Sequence, residues 1–315
     1  MDEFHSYDFL SYAYLQSGQE DAAKDIAAKS AAAITHFQTM PDMAPDDYMV
    51  GMYPYYRAKL PIFIALETRD WNSALAIATE TGAPPDTQTQ IYWARVIAAG
   101  HLHLAQRAHS ELAAYDAVIE EIKKGSQAYA ANSTGAQVQR SEMLAWVAFA
   151  DGNLAESTRQ MRQAADLQDK VGQAEVDIPA REMLADILLE SGRPAEALAE
   201  YKVSMKSSPN RFNGLFSAGK AAEAAGDKAD ARRYFEAVVE AADHGSRSTR
   251  PEVGYARSFL VSANAASTRA SRTLRSNGGI DTSALRVDHE FAFFFGEGRP
   301  LRQRQNVEHG LRGAT

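Results

Sequence analysis

The chain has 315 residues, 45% of them hydrophobic, no cysteine, and a formal net charge of −8. Without cysteine there can be no disulfide staple, zinc–thiolate site or thiol nucleophile, and no apolar run approaches the roughly 18 residues needed to cross a membrane. The charge is uneven: residues 245–315 hold 11 arginines, no lysine and six acids, net +5, which leaves −13 on residues 1–244. An acidic body has no general attraction for nucleic acid or anionic lipid.

The start, Met1-Asp-Glu-Phe-His5, lacks a basic segment followed by an apolar stretch, so a cytoplasmic location is the default expectation. The first unit reads Tyr7, Leu10, Ser11, Tyr14, Gly18, Ala23, Ala27, the 3.6-residue pattern of a helix, a glycine turn and a second helix. A Pro- and Asp-rich loop, Met40 to Asp47, is expected next, running on to Tyr53-Pro-Tyr-Tyr56. A degenerate unit follows over 56–82, with Arg69-Asp70-Trp71 in its turn and Ala74 in its small position. The third carries Tyr92, Trp93, Val96, a turn at Gly100, then Ala105 and Leu112. Its second helix is long, a stripe through Leu104, Ala108, Leu112, Tyr115, Ile119 and Ile122 that stops at Gly125. A polar stretch through Asn132 to Gly135 leads to Leu144, Ala145, Ala148, Gly152, Ser157, Met161 and Ala164.

The clearest repeat comes last. Ala185-Asp-Ile-Leu-Leu-Glu-Ser-Gly192 and Gly219-Lys-Ala-Ala-Glu-Ala-Ala-Gly226 end 34 residues apart. Each is followed by a small residue five positions on (Ala197, Ala231) and an aromatic four further (Tyr201, Phe235). Small residues let two helices cross closely, and a glycine ends the first helix at little conformational cost. Asn153 and Asp227, after their glycines, suit the start of the next helix. The expected turns are at 18, 69, 100, 152, 192 and 226.

After Asp243 the pattern fades to one short closing helix, Pro251 to about Val261. Residues 1–262 are thus expected to form an all-α domain, an α–α superhelix of about six helix–turn–helix repeats. Residues 263–315 are an Arg- and Ser-rich tail expected to be disordered, with Phe291-Ala-Phe-Phe-Phe295 an aggregation hazard if exposed.

A helix–turn–helix unit at a 34-residue period is the mark of tetratricopeptide repeats. Residues 1 to about 262 resemble the C-terminal portion of a family of bacterial tetratricopeptide repeat proteins of uncertain function. Tyr7-Asp-Phe-Leu-Ser-Tyr-Ala-Tyr-Leu-Gln16, Arg69-Asp-Trp71 and Ser208-Pro-Asn-Arg-Phe-Asn-Gly-Leu215 resemble repeat starts and turns in it. The resemblance implies a solenoid fold, further repeats before residue 1 and an end near Tyr255-Ala-Arg-Ser-Phe-Leu260. It implies no particular activity.

No catalytic constellation emerges. His101, His103 and His109 are separated by two, six and eight residues, whereas a helical metal pair needs i, i+4 and further ligands, so they are read as turn and surface histidines. No nucleophile elbow, phosphate loop or dinucleotide fingerprint occurs, and no cofactor is expected. The alternative of an enzyme or enzyme subunit would place its site in the 40–56 loop or in a missing N-terminal part.

The expected function is protein–protein interaction through the concave face lined by the first helices. The side chains expected there to contact a protein or peptide partner are Tyr12, Tyr56, Lys59, Phe63, Trp146, Phe149, Asn213, Phe216 and Lys220. Rings supply contact area and charges supply register in such a groove; packing between repeats is the competing role for each ring. A clamp for a C-terminal carboxylate is disfavoured. Phe63 stands where Lys59 would want an asparagine, and Glu182 and Asp186 neighbour Asn213 and Lys220. A partner of basic character fits the acidic body better.

Overall fold

The computed structural model describes residues 2–39, 48–126, 128–172, 177–243 and 248–277. Residues 1–268 form one compact unit and 269–315 a second. Among the described residues there are thirteen α-helices and no strand: α1 Asp2–Gln16, α2 Glu20–Gln38, α3 Tyr48–Glu67, α4 Trp71–Ala76, α5 Pro85–His101, α6 Ala105–Lys124, α7 Thr134–Ala150, α8 Leu154–Val171, α9 Ala180–Glu190, α10 Pro194–Ser207, α11 Phe212–Ala224, α12 Lys228–Asp243 and α13 Pro251–Asn277. None of these is long and apolar enough to cross a membrane.

The first twelve helices form six hairpins built on one turn. Gly18, Arg69, His103, Gly152, Gly192 and Gly226 each take a left-handed φ, from 53° to 79°. In every case the amide of the next residue reaches back five positions to a first-helix carbonyl, at 2.8–2.9 Å. This bond satisfies a carbonyl that the helix end would leave open. The second helix then starts two residues after the left-handed one. Five residues after it stands Ala23, Ala74, Ala108, Ser157, Ala197 or Ala231, each with no exposed surface, so the two backbones cross at a side chain no larger than serine. Asp70, Asn153 and Asp227 cap their second helices, each accepting a backbone amide through a side-chain oxygen at 3.0–3.2 Å. Short acidic or amide side chains suit this position because they reach the open amides of the first turn.

The third turn differs from its expected place. Gly100 lies inside α5 and the left-handed residue is His103, with Ala108 rather than Ala105 at the crossing. Arg69 and His103 then stand 34 residues apart, the same interval as Gly192 and Gly226. Gly100 serves closeness instead: a Cβ there would lie 2.8 Å from the Trp146 ring and 3.1 Å from its carbonyl oxygen.

Tyr53-Pro-Tyr-Tyr56 is not loop but part of α3, which carries Pro54 and Pro61 in its interior; residues 40–47 lie outside those described. An internal proline costs a helix about 3 kcal/mol, and aromatic packing offsets it here. Tyr56 stacks on Phe4 with centroids 5.0 Å apart, and Tyr53 stacks on Phe37 at 6.3 Å. The second helix of that hairpin, α4, has only six residues. Its early end is met by Arg95, whose guanidinium donates to the Ile77 carbonyl, and Gly82 and Pro84 follow in the connection to α5. The long α6 ends at Lys124 before Gly125, as its stripe indicates, and Ser133 caps α7. α13 continues to Asn277, well past the expected stop near Val261; Phe291–Phe295 lies outside the described residues.

First helices pack on one another in the order α1, α3, α5, α7, α9, α11, while each second helix packs on its own partner and the next first helix. α1 also touches α11, so the row of first helices closes on itself. Val253 and Ala256 of α13 are buried, and Tyr255 and Phe259 pack on Phe235 of α12. One apolar core runs from hairpin 2 to α13, whereas the first hairpin contributes two smaller, separate clusters, around Phe4 and Ile34 and around Leu15 and Ala23.

Candidate functional site

The nine side chains expected on the binding face divide into two groups. Tyr56, Lys59, Trp146, Phe149 and Asn213 are buried; Tyr12, Phe63, Phe216 and Lys220 are half-buried. Trp146 has no exposed surface: it packs between hairpins, with His101 at 4.1 Å and Phe149 edge-on at 5.6 Å. His101 is itself sandwiched, its other face stacked on Trp71 at 3.9 Å and 7°, with Nδ1 2.9 Å from a Glu190 oxygen. His103 occupies the left-handed turn beside Phe149, and the exposed His109 meets Asp151 at 2.9 Å. Tyr56 belongs to the Phe4 cluster, and Lys59 donates to Asp8 at 2.8 Å beneath little exposed surface.

Four residues keep partial access. Tyr12 lies beside the Arg211 guanidinium, 5.9 Å from its ring centroid, and burial raises its phenol. Phe63 tilts against Trp93 at 6.5 Å. Phe216 meets Phe235 and Tyr255, and Lys220 donates to Glu223 at 2.9 Å while its ammonium stands 4.1 Å from the Tyr255 ring centroid.

Where the row of first helices closes, the chemistry changes from apolar to charged. Arg211 at the start of α11 donates to Glu67 of α3 at 2.6 Å, to Glu182 of α9 at 2.9 Å and to the Asp177 carbonyl at 3.2 Å. Its side chain and both carboxylates are at most 4% exposed. Asn213 donates to the carbonyl and carboxylate of Glu67 at 2.8 and 3.1 Å. Arg250 donates to the same carbonyl and pairs with Glu20 of α2 at 3.2 Å. Arg69, in the second turn, reaches Asp186 of α9 at 3.1 Å and Ser217 of α11 at 2.7 Å. The Phe212 amide, which its helix leaves open, donates to Gln16 of α1 at 2.7 Å. Burial pushes Glu182 up, against the pull of Arg211. For Arg211 burial acts downward, but Glu182 and Glu67 outweigh it and hold the guanidinium well above its ordinary range. Gly214 makes room for this arrangement, since a Cβ there would stand 2.9 Å from a Glu182 oxygen.

A further carboxyl lies apart from the arginines. Glu142 of α7 is 4% exposed and accepts from Trp93 Nε1 at 2.8 Å. Burial, reinforced by Asp177, pushes it up to about 8.

Glu67, Arg69, Arg211 and Arg250 are not among the residues expected at this face. Arg69 and Arg211 carry a local signal, the first at a turn position that four of the six hairpins fill with glycine, the second directly after Pro209-Asn210. Their partners on distant hairpins carry none. No family model, curated protein or solved structure matches the chain.

Proposed function

We propose that the chain is a non-enzymatic helical-repeat protein, with hairpins of tetratricopeptide type, that binds another polypeptide along its first-helix face. The observation that carries this reading is the sixfold recurrence of one hairpin, which lines the first helices in a single row. Along that row Tyr12, Phe63, Phe216 and Lys220 stay half-exposed on α1, α3 and α11. Rigid rings beside fixed charges are the composition that peptide grooves favour. The net charge of −13 on residues 1–244 favours a partner segment of basic character. Trp146 and Phe149, being core, support the face without touching the partner.

The test is site-directed photo-crosslinking in the full chain. A benzophenone side chain in place of Tyr12 or Phe63 should capture one polypeptide, and Phe63→Ala should weaken the capture from position 12. The same group in place of the exposed Arg159 should not capture it. Equal capture from all three positions, or none from 12 and 63, would overturn the reading.

A further inference from the structure

We propose that the polar closure between the first two hairpins and the last two is a latch: it holds the first-helix face shut, and the fold opens there as a rigid-body movement. This rests on the binding reading above, whose site it would regulate.

Three observations converge. First, the joint is more polar than the contacts between successive hairpins, although Lys59–Asp8 and Arg181–Asp166 pair there too. Hairpins adjacent in sequence share one continuous apolar core from hairpin 2 onward. Across the closure the contacts are chiefly ion pairs and hydrogen bonds made by Arg211, Arg250, Arg69, Asn213 and Gln16. Second, the joint is imperfectly satisfied. Nη1 of Arg250 and Nε2 of Gln16 are buried there with no hydrogen-bond partner; each such donor penalises the closed form, and opening returns it to water. Third, the latch draws on the face it would control, for Asn213 is one of its members and Tyr12 lies against Arg211.

Buried ion pairs make such a joint two-state. Fully paired, their attraction roughly offsets the cost of desolvation; fully hydrated, neither term applies; half-paired, an uncompensated charge is left in the interior. Apolar contacts lose strength in proportion to area, but this network closes together or opens together.

The chain has no cysteine, so engineered pairs report cleanly. Dyes on Ala13→Cys in α1 and Glu236→Cys in α12 read the opening by energy transfer. Raising NaCl from about 0.1 M to about 1 M barely reaches the buried pairs but stabilises the same charges once they are hydrated, so it favours the open form. Transfer should fall in one step while helical circular dichroism is unchanged. Arg211→Gln breaks a buried pair and should shift the open-to-closed ratio by more than about a hundredfold, giving low transfer at low salt. A second check staples the joint with Gly18→Cys and Ser248→Cys, since a Cβ at 18 would stand 3.2 Å from that of Ser248, close to disulfide reach. In that protein the dyes are carried by unnatural amino acids at 13 and 236 and attached before oxidation. The staple should abolish the salt response until the bond is reduced.

Transfer that stays constant with salt and equal in wild type and Arg211→Gln would overturn the latch. So would a fall that occurs only as helicity is lost, or a stapled form that still responds. Opening without any crosslinked polypeptide upholds the latch and sinks the binding reading; specific crosslinks with constant transfer do the reverse.

Discussion

Between α5 and α7, Trp146 lies fully buried on Gly100 with His101 against its face. Between α3 and α11, Arg211 lies as deeply buried between Glu67 and Glu182. Both joints exclude water, but the first gains free energy with every apolar atom covered, whereas the second must first recover the desolvation of three charges. Burial alone therefore does not rank the joints of this molecule: the stack along the chain is the strong direction, and the closure across it is the weak one.

The largest expected effect breaks the strong side. Trp146→Ala should cost about 3–5 kcal/mol in urea unfolding; a cost below about 1 kcal/mol would show that the stack does not depend on it. The next is pH-dependent. Glu142 has a folded value near 8 against an ordinary 4.5, so stability is full below the lower value. It then falls as pH rises toward the upper one, because the unfolded chain loses that proton first. Glu142→Gln removes this dependence, and the wild type should lose up to roughly 4 kcal/mol relative to the variant over that range. Parallel stability–pH curves would refute the assignment. Gly219→Ala places a Cβ 2.7 Å from the Phe235 ring and should cost about 1–3 kcal/mol by overpacking. At Gly192 there is open space but φ is +73°, so Gly192→Ala should cost only about 1 kcal/mol, from backbone strain; equal losses at 192 and 219 would contradict the separation of strain from packing. The smallest effect on global unfolding is expected for Arg211→Gln, since the chain escapes an unpaired carboxylate by opening the closure while the stack persists.

The stack is legible in sequence because its determinants are local. A small residue five positions after the turn and an apolar stripe at helical spacing lie within one hairpin, and Ser157, Ala197 and Ala231 stand out that way. The displaced third turn has a physical cause: Gly100 and a turn glycine meet different needs, close approach and positive φ, with the same residue. α3 is obscured by Pro54 and Pro61, whose local preference yields to the stacking of Tyr53 and Tyr56. Helical spacing places Trp146 and Phe149 on a first helix, but it does not say that they turn into the core while Tyr12 and Phe63 keep partial access. The closure is not legible at all. Whether Arg211 meets Glu67, 144 residues earlier, depends on the summed rotation of every intervening hairpin, which no local pattern encodes.

The most direct measurement is amide hydrogen exchange at two residues as salt is raised. The Phe212 amide is held by Gln16 across the closure, and the Arg193 amide by Leu188 within a hairpin, at 2.7 and 2.9 Å. A weak polar closure on a strong apolar stack predicts that Phe212 exchange accelerates with NaCl while Arg193 exchange does not change. Equal responses at the two amides, or none at either, would contradict it.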